Sequence, residues 1–275
     1  MTATITRRRV HKISDKKDFD KYDLYRRSVQ SPDTDVCFLR KVYRDLKKKD
    51  PRIFREDFCG TFALSCEWVR LSPKFQAIGV DLDPEPLEYG RSHNLSKLSE
   101  KQQQRIQLFE GNVLAEKLAS ADISVAMNFS YFIFQNRKIM KEYFLNVLRS
   151  VKKDGIFVID IFGGSLCHDE NEEKASHRKF TYYWQQENFD PVTNRAKFHI
   201  HYRLHGQAKK ERVFSYDWRM WTIPELREIL EEVGFKRTHV YWEGTTRKGE
   251  GDGVFTRTEK GEACQAWIAY IVAEK

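Results

Sequence analysis

The sequence predicts an α/β fold in which a mostly parallel sheet is covered by helices on both faces. Between residues 53 and 162, short apolar runs alternate with segments of helical period. The runs are continuously apolar, as in strands buried on both faces. The first run is followed by the turn Cys59-Gly60-Thr61 and then by a helical pattern, an order typical of nucleotide-binding units.

Two helices are predicted before the first strand. Apolar and aromatic residues recur at helical spacing between Lys21 and Leu46, and Ser31-Pro32-Asp33 interrupts them as a helix stop followed by an N-cap. Residues 1 to about 20 are polar without a period. We therefore expect residues 1–50 to form an arm and a helical cap on a core of residues 51–165.

Five strands are predicted within that core, at residues 53–58, 74–80, 105–109, 123–128 and 156–162. The helices between them begin after Thr61, at Pro84 and near Ile139.

The alternation stops between residues 163 and 221. Residues 166–175 are acidic and predict a loop, whereas residues 180–184, 197–204 and 212–220 have the period of strands. We expect residues 166–221 to form an inserted, antiparallel three-stranded sheet. Residues 222–275 would complete the core with a helix at 224–233, strands at 240–243 and 264–272, and a long polar loop at 244–261.

Composition limits the classes of protein. The 275 residues are 40% hydrophobic, and no apolar run approaches the roughly 18 residues that cross a membrane. The N-terminus lacks the apolar segment of a secretion signal, so a cytoplasmic location is expected. Five cysteines without a CxxC pair favour reduced thiols over disulfides or a zinc site. The net charge of +8 comes from dispersed clusters, which favour solvated faces over a nucleic-acid surface.

A nucleoside pocket is indicated where the first two strands end. Gly60 would let the backbone approach a ligand, and Asp81, at the end of the second run, could accept hydrogen bonds from both ribose hydroxyls. Asp81 could instead cap the helix that begins at Pro84. Asn112 could be an ordinary turn residue beside Gly111.

Several segments together resemble the successive motifs of class I S-adenosylmethionine-dependent methyltransferases. The segments are EDFCGT, GVDLDP, EGNV, MNFSY and VLRSVKKDGIFVIDIF. The resemblance covers roughly residues 53–162 and resumes near residues 221–274. It implies a Rossmann-like, mostly parallel seven-stranded sheet, with S-adenosylmethionine as methyl donor, S-adenosylhomocysteine as product and no metal. It also implies that the inserted sheet is a lid over a small-molecule acceptor.

The resemblance also implies roles for single residues. Glu56 matches the acid of the first strand, and Phe58 and Phe62 replace the outer glycines of the turn. Asp81 matches the ribose-binding acid and Leu82 the apolar residue beside adenine, while Asn112 replaces an aspartate that reads the adenine amino group. The expected cofactor-binding residues are Tyr25, Arg55, Glu56, Asp57, Cys59, Gly60, Thr61, Asp81, Leu82, Asn112, Val113, Asn128 and Phe129.

The tetrad from Asn128 to Tyr131 resembles the N-P-P-Y motif of amino-group methyltransferases without its prolines. We expect Asn128, Tyr131 and Asp160 to act in catalysis, with Asp160, Tyr131 and Glu243 as alternative general bases. Asp160 could instead be a buried structural acid. The expected acceptor-binding residues are Tyr131, Trp184, Arg203, Trp218, Arg219 and Trp242, although the aromatic ones could simply pack a sheet face.

Three histidines of the insertion, His199, His201 and His205, alternate on one face. We expect them to lack carboxylate partners, which speaks against a metal site. The favoured function is methyl transfer to a nitrogen or oxygen atom of a small molecule by a monomer or homodimer. The alternatives are an RNA or protein methyltransferase that uses the basic surface, and a non-catalytic module that binds S-adenosylmethionine.

Overall fold

A computed structural model of the chain describes residues 19–247, 249 and 251–275. The expected N-terminal arm lies almost entirely outside the described residues. In chain order the helices and strands are α1 (Lys21–Val29), α2 (Pro32–Lys47), β1 (Ile53–Asp57), α3 (Ala63–Leu71), β2 (Gln76–Asp81), α4 (Pro84–His93), α5 (Glu100–Gln103), β3 (Ile106–Glu110), β4 (Ala121–Ala126), α6 (Arg137–Ser150), β5 (Val151–Gly163), β6 (Asn171–His177), β7 (Phe180–Asp190), β8 (Arg195–Leu204), β9 (Lys210–Arg219), α7 (Ile223–Val233), β10 (Arg237–Thr245), β11 (Gly251–Thr258) and β12 (Trp267–Glu274).

The larger sheet has the strand order β11-β10-β12-β5-β4-β1-β2-β3. Strands β1 to β5 are parallel to one another, and β12 runs antiparallel to β5 and to β10. The predicted mostly parallel sheet is therefore confirmed, with eight strands where seven were expected. The additional strand, β11, pairs antiparallel with β10 inside the segment predicted to be a loop.

Helices cover both faces of this sheet, as predicted. On one face, the side chains of α6 and α7 pack with Phe157 and Ile159 of β5. On the other face, α2 and α3 pack with Phe54 of β1 and Val158 of β5. Each face thus removes one apolar helix surface from water, which is the main source of stability of such a layered fold.

The insertion forms a separate antiparallel sheet in the order β6-β7-β8-β9. The two predicted turns lie between β7 and β8 and between β8 and β9. The prediction of three strands was one short, because β6 occupies part of the polar segment 166–175 that was expected to be a loop. Helix α1 packs on this second sheet through Leu24, which contacts the cluster containing Phe180 and Ile200.

Local signals for the last helix were read correctly. Thr222 and Glu225 form a capping box at the start of α7, and Gly234 ends it with a φ of 110°. None of the described helices is both long and apolar enough to cross a membrane.

Candidate functional site

The loops that follow β1, β2 and β4 meet at the carboxyl edge of the parallel strands, where ligands bind in open α/β sheets. The loop after β1 keeps the backbone of a glycine-rich turn despite its phenylalanines. Phe58 has a φ of 56°, Gly60 of 51° and Phe62 of 46°, all in the left-handed region. Phe62 is fully buried, and Gly90 of α4 makes room for it: a Cβ on Gly90 would lie 2.3 Å from Phe62 Cε1. The large side chains are therefore accommodated by packing, and the loop keeps its course.

Asp81, at the end of β2, is linked to this loop. Its Oδ2 accepts a hydrogen bond from the Gly60 amide at 2.6 Å, and its Oδ1 accepts one from the Asp83 amide at 2.9 Å. Partial burial raises the pKa of the Asp81 carboxyl, and both amides oppose that rise. The alternative that Asp81 caps α4 is wrong, because the N-cap is Asp83, which accepts the Glu85 amide.

Beside Asp81, the apolar side chain of Leu82 is 68% exposed. An ideal Cβ on Gly60 or on Gly111 would meet nothing within 4 Å, so the space beside both loops is open. An exposed leucine, a strand-end carboxylate and bare backbone together fit the adenine, ribose and chain of a nucleoside. Asn112 is exposed here, and its Oδ1 accepts the Leu114 amide in a local turn, while Val113 is buried.

Glu56 and its neighbours lie on different faces of β1. The Glu56 carboxylate is buried and accepts hydrogen bonds from the Ser65 amide at 3.0 Å and the Ser65 hydroxyl at 2.6 Å. Burial raises its pKa to about 8, which the two hydrogen bonds only partly offset. The carboxylate thus lies at the start of α3, directly behind the Gly60 loop.

Arg55 and Asp57 point to the opposite face of the strand. The Arg55 Nε donates to Asp57 Oδ1 at 2.8 Å, and the Tyr143 hydroxyl donates to Asp57 Oδ2 at 2.9 Å. Both charged side chains are fully buried in this pair. The structure therefore does not bring Arg55 and Asp57 to the ligand edge, because successive residues of a strand face opposite ways.

Two other expected residues of the turn face inward. Cys59 is buried against Gly79 of β2, and its amide donates to the Val80 carbonyl at 3.0 Å. Burial raises the pKa of the Cys59 thiol. The carbonyl of Thr61 accepts the Asn94 side-chain amide at 2.9 Å, which ties the loop to the end of α4.

The loop after β4 is held by a carboxylate. Asn128 and Phe129 both have a φ of 57°. Their amides donate to the two oxygens of Asp160, Asn128 to Oδ2 at 2.7 Å and Phe129 to Oδ1 at 2.9 Å. Burial raises the pKa of Asp160 to about 7, while the two amides oppose the rise. The structure thus supports the structural alternative for Asp160, which orients the β4 loop.

A cavity of about 1240 Å³ opens beside this loop. Its walls come from the ends of β4 and β5, from α1 and α2, from the four-stranded sheet and from the β10–β11 hairpin. The expected site residues that line it are Tyr25, Asn128, Phe129, Asp160, Trp184, Trp218, Trp242 and the candidate base Glu243.

Aromatic rings form a continuous wall of the cavity. Phe129 lies 4.6 Å from Phe162, centroid to centroid, and 6.3 Å from Trp218. Trp218 stacks on Tyr216 at 4.4 Å and lies 6.0 Å from Trp184. The insertion therefore places its aromatic face against the end of β4, and the wall excludes water from that corner.

Three expected acceptor residues do not line the cavity. Tyr131 is fully buried and donates its hydroxyl to the Asp160 carbonyl at 2.7 Å. The guanidinium of Arg219 bonds Glu225 at 3.0 Å and lies 3.8 Å from the Trp221 ring. Arg203 is exposed, 6.0 Å from the Tyr183 ring.

Sequence reasoning missed Asp35, which lines the cavity from the first turn of α2. Its Oδ1 accepts the Tyr270 hydroxyl at 3.3 Å, and burial raises the pKa of its carboxyl to about 6. No sequence signal could have found it, since its hydrogen-bond partner lies at the other end of the chain. It resembles any acid in the first turn of a helix.

The histidines of the insertion contradict one expectation. His199 Nε2 lies 2.6 Å from Glu187 Oε2, and His201 Nε2 lies 3.9 Å from Glu172 Oε2, so both have carboxylate neighbours. Within the described part of the chain, no three histidine, cysteine or acidic side chains form a group that could hold a metal ion.

Comparison with solved structures identifies proteins of similar fold. No protein-family model and no curated protein matches the sequence. A solved S-adenosylmethionine-dependent methyltransferase from Clostridium acetobutylicum is similar, with a TM-score of 0.63 and 15% identity over 91% of this chain and 96% of that one. CalS10, an amino pentose methyltransferase from Micromonospora echinaspora solved with bound S-adenosylmethionine, gives a TM-score of 0.64 at 14% identity, covering 94% of this chain and 97% of its own.

A third similar structure is the sugar N-methyltransferase KedS8 from Streptoalloteichus, with a TM-score of 0.60 and 15% identity over 100% of this chain and 98% of that one. At such identities the likeness shows the fold, a Rossmann-like sheet with an inserted second sheet.

Proposed function

We propose that this chain, which has the Rossmann-like fold of class I S-adenosylmethionine-dependent methyltransferases, transfers a methyl group from S-adenosylmethionine to a nitrogen or oxygen atom of a small molecule. One observation carries the proposal. The edge that fits a nucleoside, formed by Gly60, Asp81 and Leu82, is the same carboxyl edge of the sheet at which a large cavity lies, bordered by the inserted sheet. A donor and an acceptor can therefore meet at the end of β4.

We assign the donor side to the ends of β1 and β2. The Asp81 carboxylate would accept the ribose hydroxyls, and Leu82 would pack on adenine. Glu56 lies behind the Gly60 loop, where an acid can attract the amino group of the methionine portion. When bound, S-adenosylmethionine supplies an activated methyl group on a sulfonium.

The protein's own task is then to align the acceptor and exclude water. We assign alignment to the β4 loop, whose Asn128 and Phe129 are fixed by Asp160. Asp160 is a positioning residue in this proposal. The aromatic wall of Phe129, Trp218 and Trp184 would exclude water and face the acceptor. Residues 166–221 would act as the substrate lid.

The alternatives receive less support. An RNA methyltransferase would need basic residues around the cavity, and no Lys or Arg is among its described lining residues. A non-catalytic module was suggested by the missing glycines, but Phe58 and Phe62 keep the left-handed backbone of the turn. The cytoplasmic location and the monomeric or dimeric state stay predictions from the sequence.

Calorimetry with S-adenosylmethionine tests the proposal. We expect the wild type to bind, and Asp81→Ala to weaken binding at least tenfold, because hydrogen bonds to a charged group are lost. Asp83→Ala is the matched control, since it removes a neighbouring carboxylate that forms only the helix cap. Absence of binding by the wild type, or equal binding by Asp81→Ala, would contradict the proposal.

A further inference from the structure

The charged side chains that line the cavity, among the residues that the structure describes, are all of one sign. Lys and Arg make up 48 of the 275 residues and give the chain a net charge of +8. Yet among the described residues the cavity lining contains no Lys, Arg or His. Its charged members are the carboxylates of Asp35, Asp160, Glu173, Glu243, Asp252 and Glu262. The chain thus has a positive net charge, whereas the described charged residues that line its cavity are acidic.

These carboxylates have no cationic partner within the described part of the chain, whose ion pairs all involve other acids. Asp160 accepts two amides, Asp35 accepts the Tyr270 hydroxyl, and Glu243 accepts the Gly253 amide at 3.1 Å. Burial raises the pKa of all three carboxyls. Burial makes the charged form of a carboxyl less favourable, and a bound cation would favour that charged form again.

The aromatic wall gives a second, independent indication. In the described part of the chain, the protein's own cations lie over seven rings elsewhere, such as Phe75, Phe180 and Trp221. No described cation lies over a ring that lines the cavity, although Trp184, Trp218 and Trp242 are there. Tryptophan faces attract ammonium groups, and Trp184 and Trp242 are only half-buried, so their rings can meet a cationic ligand, whereas Trp218 is buried.

The acids extend beyond the positions that suit the methyl donor. Glu243 lies at the end of β10, which is three strand positions from β4 in the sheet. At roughly 4.8 Å per position, that is about 14 Å from the β4 loop. Glu173 belongs to β6 of the inserted sheet. Both acids therefore face the acceptor side of the cavity.

We propose that the acceptor enters this cavity as a cation without a phosphate group, that is, as an unphosphorylated amine. The inference rests on the proposed methyltransferase function and names its substrate class. The charged groups that a phosphate would meet among the described lining residues are carboxylates, so nucleotide-linked and nucleic-acid acceptors are disfavoured. For transfer, the ammonium gives one proton to a carboxylate or to water. The nitrogen lone pair then forms the new N–C bond while the C–S bonding pair stays on sulfur.

A charge-sorted transfer assay tests this inference. The small-molecule pool of the source organism is separated at pH 7 into cationic, neutral and anionic fractions, and each is incubated with the protein and methyl-labelled S-adenosylmethionine. We expect label in the cationic fraction, at least tenfold above the other two. Label mainly in the neutral or anionic fraction, or none in the cationic fraction although S-adenosylmethionine binds, overturns the inference. Failure to bind S-adenosylmethionine would instead overturn the proposed function.

Two variants test the role of the cavity acids in acceptor binding. The substrate is the cationic acceptor that became labelled in the first assay. Glu243→Gln should raise the KM for that acceptor about tenfold and leave the Kd for S-adenosylmethionine within about twofold. Glu259→Gln, an exposed acid just beyond β11 that does not line the cavity, should change neither quantity. An unchanged KM in Glu243→Gln would overturn the inference.

Discussion

The loops after β1 and β4 both place non-glycine residues in the left-handed region, yet different forces hold them. In the β1 loop, the side chain of Phe62 is buried against Gly90, and the ring of Phe58 packs 5.8 Å from Phe134. In the β4 loop, the amides of Asn128 and Phe129 bond the Asp160 carboxylate. The phenylalanines of the first loop are held by packing, with one amide bond from Gly60 to Asp81, whereas the second loop is held by two amide bonds to Asp160.

This difference separates the two halves of the proposed site. Each left-handed non-glycine residue costs about 1–2 kcal/mol, so both loops need compensation from their surroundings. On the donor side, packing compensates for the left-handed Phe58 and Phe62. On the acceptor side, compensation depends on one buried carboxylate. Substitutions in one half should therefore leave the other half largely unchanged.

Asp160→Ala should have the largest effect. It leaves the half-buried amides of Asn128 and Phe129 without acceptors, each costing roughly 1–3 kcal/mol. We expect the free energy of unfolding to fall by about 3 kcal/mol and methyl transfer to fall at least a hundredfold. The Kd for S-adenosylmethionine should change less than tenfold, because the Asp160 side chain bonds the β4 loop and not the Gly60 loop. Urea denaturation and the transfer assay measure these quantities.

Asp154→Ala is the matched control, since Asp154 lies on the same strand but is exposed. It should leave stability and transfer almost unchanged. An Asp160→Ala protein as stable and active as the wild type would show that the carboxylate does not hold the β4 loop.

Gly90→Ala tests the packing of the β1 loop. A Cβ there would lie 2.3 Å from Phe62 Cε1 and 2.5 Å from the Thr61 carbonyl oxygen. We expect a loss of about 2 kcal/mol in unfolding free energy, as for overpacked cores. Gly111→Ala, where a Cβ meets nothing within 4 Å, should be neutral within about 0.5 kcal/mol.

The double variant Gly90→Ala with Phe62→Gly tests whether the stability losses at these two residues are coupled. If the two residues compensate each other, the double variant should lose less stability than the sum of the single losses. Strict additivity would mean that Gly90 does not make room for Phe62.

Glu56→Gln isolates a smaller, pH-dependent effect behind the β1 loop. Burial raises the folded pKa of Glu56 to about 8 from its ordinary value of 4.5. A carboxyl with a raised folded pKa stabilises the protein fully at low pH, and that contribution is lost as the pH rises toward 8. Between pH 6 and 7 the wild type should lose up to about 1.4 kcal/mol relative to Glu56→Gln. A constant difference between the two proteins across this range would show that Glu56 is ionised throughout.

Much of the fold followed from the sequence because its signals are local. The ends of the apolar runs placed Gly60, Asp81 and Asn128 at one edge, and the capping box located α7. The strands that were missed, β6 and β11, are mostly exposed edge strands. Their polar residues carry no hydrophobic period, and only pairing with β7 and β10 makes them strands.

A residue of the site could be predicted from the sequence only where its position along a strand decides which way its side chain points. Alternation alone implies that Glu56 and Asp57 face opposite ways, so one of the two could have been excluded. Asp35 was beyond reach, because it joins the cavity only through the packing of α2 against β12 and its bond to Tyr270. The same holds for Tyr131, whose burial follows from the neighbouring rings of Phe132 and Phe144.

Hydrogen exchange with and without S-adenosylmethionine measures the central claim most directly, because it locates the bound donor on the chain. The account predicts slower amide exchange at residues 58–62 and 81–84, with no change at the β8–β9 turn around Gly206, far along the inserted sheet. Protection confined to other segments, or none at saturating ligand, would contradict the assignment of the donor site to the Gly60 loop and Asp81.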